Sequence, residues 1–241
     1  MKKWLLLLSY LIGLFTIVLF VDQFKLLAIL SLTVLCLLIF ISSLVNIRWN
    51  FYFRSINNTK GKGVLITFDD GPDQYTSDIL DILKKNNVKA MFFLIGSKIE
   101  NQSPLIKRMV DEGHVIGNHS YHHSNLFPTL SVKKMTDEVR KTNELIQGIQ
   151  GNSEYFRPPF GVCNPTVGKV IRKERMQSVG WTIRTFDTQK KSAEKLKQSI
   201  LQKVNSNSII LFHYSQEVTR DILEDVILKI KERGLKFADH I

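Results

Sequence analysis

The sequence has 241 residues, of which 44% are hydrophobic and 23% are charged, and its formal net charge is +11. This length suits one sizeable domain together with a further segment. The positive charge is spread thinly, since residues 1–60 carry six Lys or Arg and one acid, and residues 61–241 carry 27 against 21. No dense basic block accompanies it, so we expect no nucleic-acid partner and interpret the excess as a solvated surface suited to contact with anionic lipid.

Two uncharged apolar runs, over residues 4–21 and 26–45, open the chain. Each is close to the ~20 residues that a bilayer-spanning helix needs. A cleavable signal peptide is the competing interpretation of the first run, because Lys2 and Lys3 precede it. Against that interpretation, no small-residue cleavage site follows and a second apolar run begins at once. We therefore predict a two-helix membrane anchor over residues 1–47.

Residues 48–62 combine aromatic side chains with Arg48 and Arg54 and predict an interfacial linker, after which a soluble domain occupies residues 63–241. In that domain strand-like apolar runs alternate with amphipathic helices, which favours an α/β fold with a parallel sheet covered by helices. Strands are predicted from Val64 and over residues 89–95, 114–117, 177–183, 208–212 and 235–237, and helices over residues 76–87, 104–112, 131–147, 193–204 and 220–233. Six or seven such units fit a distorted, incomplete (β/α) barrel better than an eight-fold one.

Two adjacent carboxylates, Asp69 and Asp70, follow the strand that begins at Val64, and the dipeptide Gly71-Pro72 stops that strand. Neighbouring side chains of a strand point in different directions, so one carboxylate can bind a metal while the other stays free as a base. Taken alone, the segment is equally compatible with a polar turn.

A second polar segment, His119-Ser120-Tyr121-His122-His123, spaces two histidines four residues apart. On a helical turn His119 and His123 would share one face and reach the same ion. With Asp70 as a third ligand, such a site leaves positions open for water and substrate, as catalytic zinc sites do. Three other histidines are interpreted as structural or supporting residues: His114, His122 and His240.

Three further segments place polar residues at predicted strand ends or in the loops that follow. In Phe156-Arg157-Pro158-Pro159-Phe160-Gly161 the prolines fix the backbone, and Arg157 suits the orientation of a carboxylate. The run from Trp181 reaches Asp187, and the apolar run from Ile209 ends at His213. Each segment is also compatible with ordinary turn or core sequence, but together they supply a metal site with a base and an acid.

From about residue 63 onward the chain resembles the polysaccharide deacetylase family, the NodB-homology domain of carbohydrate esterase family 4. The five motifs of that family occur here in order: residues 67–72, 119–123, 157–161, the segment around Asp187, and residues 211–213. The resemblance implies a NodB-type fold and an enzyme that hydrolyses the carbon–nitrogen bond of N-acetylated amino sugars.

The resemblance also implies roles for individual residues. Asp70, His119 and His123 would bind a divalent metal, usually zinc, with cobalt or nickel tolerated. Asp69 would be the general base, positioned by Arg157. His213 would be the general acid, oriented by Asp187, with Leu211 lining the acetyl pocket and backbone amides near Phe160 facing the oxyanion.

Two residues depart from the family's fourth motif, which commonly has Trp after its acid and a second Asp three residues before it. Here Thr188 follows Asp187, and Arg184 stands in the earlier acidic position. The change removes an aromatic wall from the substrate groove and adds a cation. We therefore count Arg184 with Phe160 and Leu211 as predicted substrate-binding residues, and expect an anionic substrate such as a phosphate-linked sugar.

The predicted function is a membrane-anchored, metal-dependent hydrolase that removes N-acetyl groups from amino sugars of a glycan. One alternative is a deacetylase or deformylase of an amino sugar carried on a polyprenyl phosphate. Another is a non-catalytic glycan-binding protein, against which the complete set of base, ligands and acid argues. Basic residues precede the first apolar run and follow the second, so the positive-inside rule favours a catalytic domain in the cytoplasm. The family resemblance instead favours a domain outside the cell.

Overall fold

The computed structural model describes residues 2–20, 25–151, 153–189 and 192–241. Its strands are β1 (Ser55–Ile56), β2 (Leu65–Gly71), β3 (Ala90–Leu94), β4 (Val115–Asn118), β5 (Tyr155–Phe156), β6 (Gln177–Val179), β7 (Ile183–Arg184) and β8 (Ile209–His213). All pair in parallel, in the order β1-β6-β5-β4-β3-β2-β8-β7. The sheet is curled into a half-barrel, so the predicted α/β fold of NodB type is confirmed.

The helices are α1 (Lys2–Phe20), α2 (Lys25–Val45), α3 (Thr76–Lys85), α4 (Gly96–Ile99), α5 (Ser103–Asp111), α6 (Val132–Gln150), α7 (Pro165–Lys173), α8 (Ala193–Lys203) and α9 (Glu217–Glu232). Three short 3₁₀ segments cover Ile47–Trp49, Phe127–Thr129 and Pro159–Gly161. Several starts have a side-chain cap that the sequence supplies, such as Ser131, whose Oγ accepts from the amide of Lys134 at the start of α6.

The two faces of the central strands have different surroundings, because successive side chains of a strand point to opposite faces. One set of side chains packs against the surrounding helices, as Phe68, Phe92 and Phe212 do. The residues between them, including Thr67 and Asp69, face the concave side of the sheet, where the buried Arg157 contacts them. The larger apolar core therefore lies under the helices, and polar groups collect inside the curl near the carboxyl ends of the strands.

The predicted strand over residues 177–183 is two strands, and the prediction was wrong about its continuity. The amide of Gly180 bonds to Ile56 of the β1 edge, whereas the amide of Thr182 bonds to Ile209 of β8. The chain thus changes partner across the open side of the half-barrel, and an unbroken strand cannot do that. A side chain at Gly180 would also lie 2.1 Å from Asn57 Oδ1.

Other differences concern short elements. The predicted strand over residues 235–237 is only an isolated bridge between Val64 and Phe237. The segment predicted as a linker contributes β1 to the sheet, while Ile47 and Phe53 are buried among core residues. The domain boundary at residue 63 stays a prediction.

The N-terminal helices α1 and α2 pack on each other, with Tyr10 Oη 3.3 Å from Thr33 Oγ1. Within the described residues, only α2 is long and apolar enough to cross a membrane, and a signal sequence near an N-terminus would pass the same test. The apolar part of α1, Trp4–Leu19, is shorter. Two membrane spans are therefore not confirmed. The segment predicted to connect them is Asp22-Gln23-Phe24-Lys25, which is neutral overall; Lys25 begins α2, and residues 22–24 lie outside the described residues.

Candidate active site and metal centre

The carboxyl ends of the parallel strands meet at one edge of the sheet and surround a cleft of about 200 Å³. The register of β2 with β8 aligns Asp69 with His213. The cleft is lined by eight of the ten predicted site residues: Asp69, Asp70, His119, His123, Phe160, Arg184, Leu211 and His213. The other two, Arg157 and Asp187, lie buried behind it, each against one of the lining residues.

Asp69 is buried and held by Arg157, whose Nη1 donates to Asp69 Oδ1 at 2.7 Å. The guanidinium is itself fully buried and has little freedom to turn. Three more of its N–H groups donate within 3.0 Å to Thr67 Oγ1 and to the carbonyl oxygens of Val179 and Gly180. One carboxylate oxygen of Asp69 is thus fixed by the ion pair, and the other lies on the side of the cleft, 3.8 Å from His119 Nε2.

Asp70 faces the two histidines of the predicted metal site. Its Oδ1 lies 3.3 Å from Nε2 of His119 and 3.3 Å from Nε2 of His123, and the three possible ligand atoms all lie within 4.8 Å of one another. This oxygen is buried and has no hydrogen-bond partner among the described residues. An unsatisfied carboxylate oxygen between two imidazole nitrogens is what a divalent cation would satisfy, and the O, N, N donor set suits zinc.

The surroundings of both histidine rings favour binding of a metal through Nε2. His119 Nδ1 lies 2.7 Å from the carbonyl oxygen of Arg157, which can only accept, so Nδ1 carries the proton and Nε2 presents its lone pair to the cleft. Burial and the charge of His119 lower the pKa of His123 to about 4. Burial alone would raise the pKa of Asp70, but the contact with His119 and the charges of the neighbouring histidines bring it well below its usual range.

The histidine segment is not a helical turn, and that prediction was wrong. Ser120 and His123 have φ values of 66° and 51°, which a right-handed helix excludes. Asn118 Oδ1 instead accepts from the amide of Ser120, and Ser120 Oγ accepts from the amide of His123. The loop still brings the rings of His119 and His123 to 4.7 Å between centroids. Spacing alone could not have distinguished this loop from a helix.

His213 and Asp187 form a second buried pair. The Nδ1 of His213 lies 2.7 Å from Asp187 Oδ1, and the His213 amide and the Thr219 hydroxyl both donate to Oδ2. Burial alone would lower the pKa of His213, but the hydrogen bond and charge of Asp187 raise it above its usual value. The Nε2 of His213 is left facing Asp70 Oδ2 at 3.8 Å, on the open side of the cleft.

Phe160 and Leu211 form part of the cleft wall, as predicted for substrate-binding residues. Phe160 has a positive φ of 60°, is 41% exposed, and its ring centroid is 4.6 Å from that of His123. Sequence reasoning did not assign Trp181 to the site, although it lines the same cleft. Its ring leaves no room for a side chain at Gly161, where a Cβ would come within 2.3 Å.

Residues outside the cleft hold the histidine loop, and Glu138 of α6 was not predicted among them. Its Oε2 accepts from the amides of Tyr121 and His122, and its Oε1 lies 2.6 Å from His122 Nδ1. His122 is therefore a supporting residue, as predicted. His114 is also structural, since its Nδ1 accepts from the amide of Ala90. An acid on a distant amphipathic helix gives no sequence signal for such a contact.

The profile of the polysaccharide deacetylase family matches residues 56–179. The chain is 35% identical to the peptidoglycan-N-acetylmuramic acid deacetylase PdaA of Bacillus subtilis, over 76% of this chain and 71% of that protein. It is also 35% identical to a peptidoglycan-N-acetylglucosamine deacetylase of Bacillus cereus, over 73% of this chain and 66% of that protein. The chain belongs to the polysaccharide deacetylase family.

Among solved structures, a pseudoenzyme of carbohydrate esterase family 4 from Bacillus anthracis matches this polysaccharide deacetylase with a TM-score of 0.71 and 32% identity. The match covers 77% of this chain and 66% of that one. The enzyme class predicted from the sequence, an amino-sugar N-deacetylase, is confirmed by the family and the curated relatives. A pseudoenzyme shares the fold, so the fold alone does not indicate catalysis. The evidence for catalysis in this chain is the set of side chains in the cleft.

Proposed function

We propose that this chain is a divalent-metal-dependent N-deacetylase of an acetylated amino-sugar glycan, with peptidoglycan strands as the first substrate class to test. The main support for the proposal is that a base, an acid and three possible metal ligands surround one cleft. Asp69 and His213 are aligned on neighbouring strands. Asp70, His119 and His123 line the same cleft, and their possible ligand atoms lie within 4.8 Å of one another. The names of the curated relatives support peptidoglycan as substrate.

Asp70, His119 and His123 would hold the metal, with zinc the best fit to their donor atoms and cobalt or nickel as alternatives. When bound, a divalent metal polarises an amide carbonyl and lowers the pKa of water towards ~7. The residues of the chain supply the proton transfers. Asp69, held by Arg157, is placed to accept a proton from the attacking water.

His213 is placed to give its Nε2 proton to the leaving amide nitrogen, while Asp187 holds Nδ1. The water oxygen first bonds to the acetyl carbon, and the carbon–nitrogen bond breaks when the nitrogen receives that proton, so the products are acetate and a free amine. Leu211 and Trp181 give an apolar wall for the acetyl methyl group. Backbone amides near Phe160 are candidates for stabilising the oxyanion of the transition state.

The test is acetate release by the purified full-length protein, measured on peptidoglycan strands and on chitooligosaccharides. We expect acetate release that a chelator abolishes and that added zinc, cobalt or nickel restores. Release of formate from N-formylated sugars in preference to acetate would favour the deformylase alternative. Glycan binding without release of either acid, in a protein shown to contain metal, would overturn the proposal in favour of a glycan-binding protein.

A lipid-linked amino sugar is a second candidate substrate, and one contact favours it. The carbonyl oxygen of Leu44, near the end of α2, accepts from the amide of Cys163 at 2.6 Å, two residues beyond the cleft residue Gly161. If α2 is a membrane anchor, this contact holds the cleft wall close to the membrane. Arg48, Arg54 and Lys60 also line a polar cavity of about 600 Å³ after α2, which suits anionic lipid headgroups.

A further inference from the structure

Arg184 places a cation in the lining of the cleft. It is the last residue of β7, and the register with β8 pairs it with Leu211 of the cleft wall. The side chain is exposed and lines the cleft. Its guanidinium carbon lies 5.7 Å from the ring centroid of Trp181 and 5.0 Å from that of Phe186. Two aromatic faces thus limit the positions that this guanidinium can take.

The acids of the site do not neutralise this cation. Asp69 is ion-paired with Arg157, Asp187 with His213, and Asp70 faces the two histidines. Within the part of the chain that the structure describes, Arg184 has no carboxylate within 4.0 Å. An exposed guanidinium lying over aromatic faces keeps its N–H donors available for a planar anion. The guanidinium is therefore open to an anionic group that enters the cleft.

We propose that Arg184 forms an anion subsite that binds a carboxylate or phosphate carried on a sugar carbon next to the acetamido-bearing carbon. The proposal rests on the proposed function, because it takes the acetamido group to lie beside Leu211. Arg184 is the register neighbour of Leu211, so a group within its reach belongs to an adjacent position of the same sugar. In N-acetylated amino sugars those positions are carbon 1 and carbon 3.

Two common amino sugars have this chemistry. A muramyl sugar carries a lactyl carboxylate on the oxygen of carbon 3, and a lipid-linked or nucleotide-linked sugar carries a phosphate on carbon 1. N-acetylglucosamine within a neutral polymer carries neither. The subsite therefore selects a charged amino sugar over a neutral one, and the two charged sources are separated by experiment.

The experiment compares three substrates with the metal-loaded full-length protein and its Arg184→Met variant. They are a muramyl-containing glycan strand, N-acetylglucosamine 1-phosphate and a neutral chitooligosaccharide. We expect Arg184→Met to lower kcat/KM about tenfold or more on an anionic substrate and less than about twofold on the neutral one. A loss on the muramyl strand alone identifies the carboxylate, and a loss on the sugar phosphate alone identifies the phosphate. Equal changes on all three, or no change, would overturn the proposal.

Two further measurements keep the test specific. Arg220→Met is the matched control, because Arg220 also lies over an aromatic ring, that of Tyr75, but is paired with Glu217 and Asp221 away from the cleft. Calorimetry can measure the affinities for muramic acid and for glucosamine, and so tests the subsite without any turnover. Weaker binding of muramic acid, but not glucosamine, by the Arg184→Met protein would support a carboxylate subsite even if no substrate is deacetylated. Equal binding of muramic acid and of glucosamine 1-phosphate by the two proteins would count against it.

Discussion

Asp69 differs from the other acids of the cleft because its partner is a fully buried arginine. In Asp69→Asn the amide oxygen can still accept from Arg157, but the side chain no longer accepts a proton from water. We expect acetate release to fall by about 10²–10⁴-fold or more. The variant should stay folded, with some loss of stability because the buried guanidinium loses its counter-charge. Metal content and thermal unfolding are measured alongside activity, and near-normal activity would show that another group is the base.

His213 must be protonated to donate, so activity should fall as the pH rises through its pKa. Asp187 raises that pKa, and replacing its carboxylate with an amide removes the charge responsible. In Asp187→Asn we therefore expect the alkaline limb of the kcat/KM profile to move to lower pH. Thr219→Val is the control, because it removes one hydrogen bond to Asp187 but keeps the charge, and its limb should move less. A limb that stays in place in Asp187→Asn would remove His213 from the role of general acid.

The long strands and helices were predictable from sequence because burial of one face gives each of them a periodic pattern of apolar residues. The strand from Val64 and the helix from Thr76 are both present within a few residues of prediction. Elements held together by distant pairing were not predictable. β1 consists of Ser55 and Ile56 alone and is defined by contacts with Ser178 and Val179. Two residues are too few to show a periodic pattern of apolar side chains, and the residues that they pair with lie far along the chain.

The same distinction applies to the site. Residue types and order indicated which side chains gather, because strand ends in a parallel sheet meet at one edge. The supporting contacts came from elsewhere: Thr67 on Arg157, Thr219 on Asp187 and Glu138 on the histidine loop. Thr67 belongs to the first motif, whereas Thr219 and Glu138 are single polar residues of otherwise ordinary helices. In all three cases the partner is apparent only in the folded chain.

Gly71, the last residue of β2, has a packing role as well as ending the strand. A Cβ at this position would lie 1.1 Å from Cε2 of Tyr214, whose ring is buried. We expect Gly71→Ala to lower the free energy of unfolding by more than about 3 kcal/mol, because neither group can move without disturbing the core. Gly148→Ala in α6 is the matched control, since a Cβ there meets nothing within 4 Å and alanine favours a helix. Similar melting temperatures for both variants would refute this account.

The histidine loop is expected to bind metal as a unit with β2. We predict that His119→Ala and His123→Ala each lower the bound zinc of the full-length protein well below one equivalent, because each removes one of three ligand atoms. His122→Ala is the control, since its ring contacts Glu138 and not Asp70. Metal content by atomic spectroscopy distinguishes them, and retention of full metal content after loss of both ligands would place the metal elsewhere.

The end of α2 contacts the domain that contains the catalytic cleft through apolar and polar groups. Phe40 and Leu44 of α2 line a shared cavity with Tyr52 and Pro165. Leu44 at the end of α2 bonds to Cys163, and Ser43 Oγ lies 3.2 Å from the Tyr52 hydroxyl. If α2 anchors the chain in a membrane, we expect the domain to act on substrates within reach of that membrane. The side of the membrane that the domain occupies would then decide between finished wall strands and lipid-linked precursors as substrates.

We predict that the catalytic domain lies on the cytoplasmic side. If both α1 and α2 span, the domain shares a side with Met1, and basic residues flank both outer ends: Lys2, Lys3, Arg48, Arg54, Lys60 and Lys62. The positive-inside rule then retains both ends in the cytoplasm and favours a lipid-linked precursor at the inner leaflet. Fusion of alkaline phosphatase or a fluorescent protein after Ile241 should give low phosphatase activity and bright fluorescence. High phosphatase activity with a dark fluorophore would mean that the two helices do not both span, and would place the domain outside, facing the wall polymer.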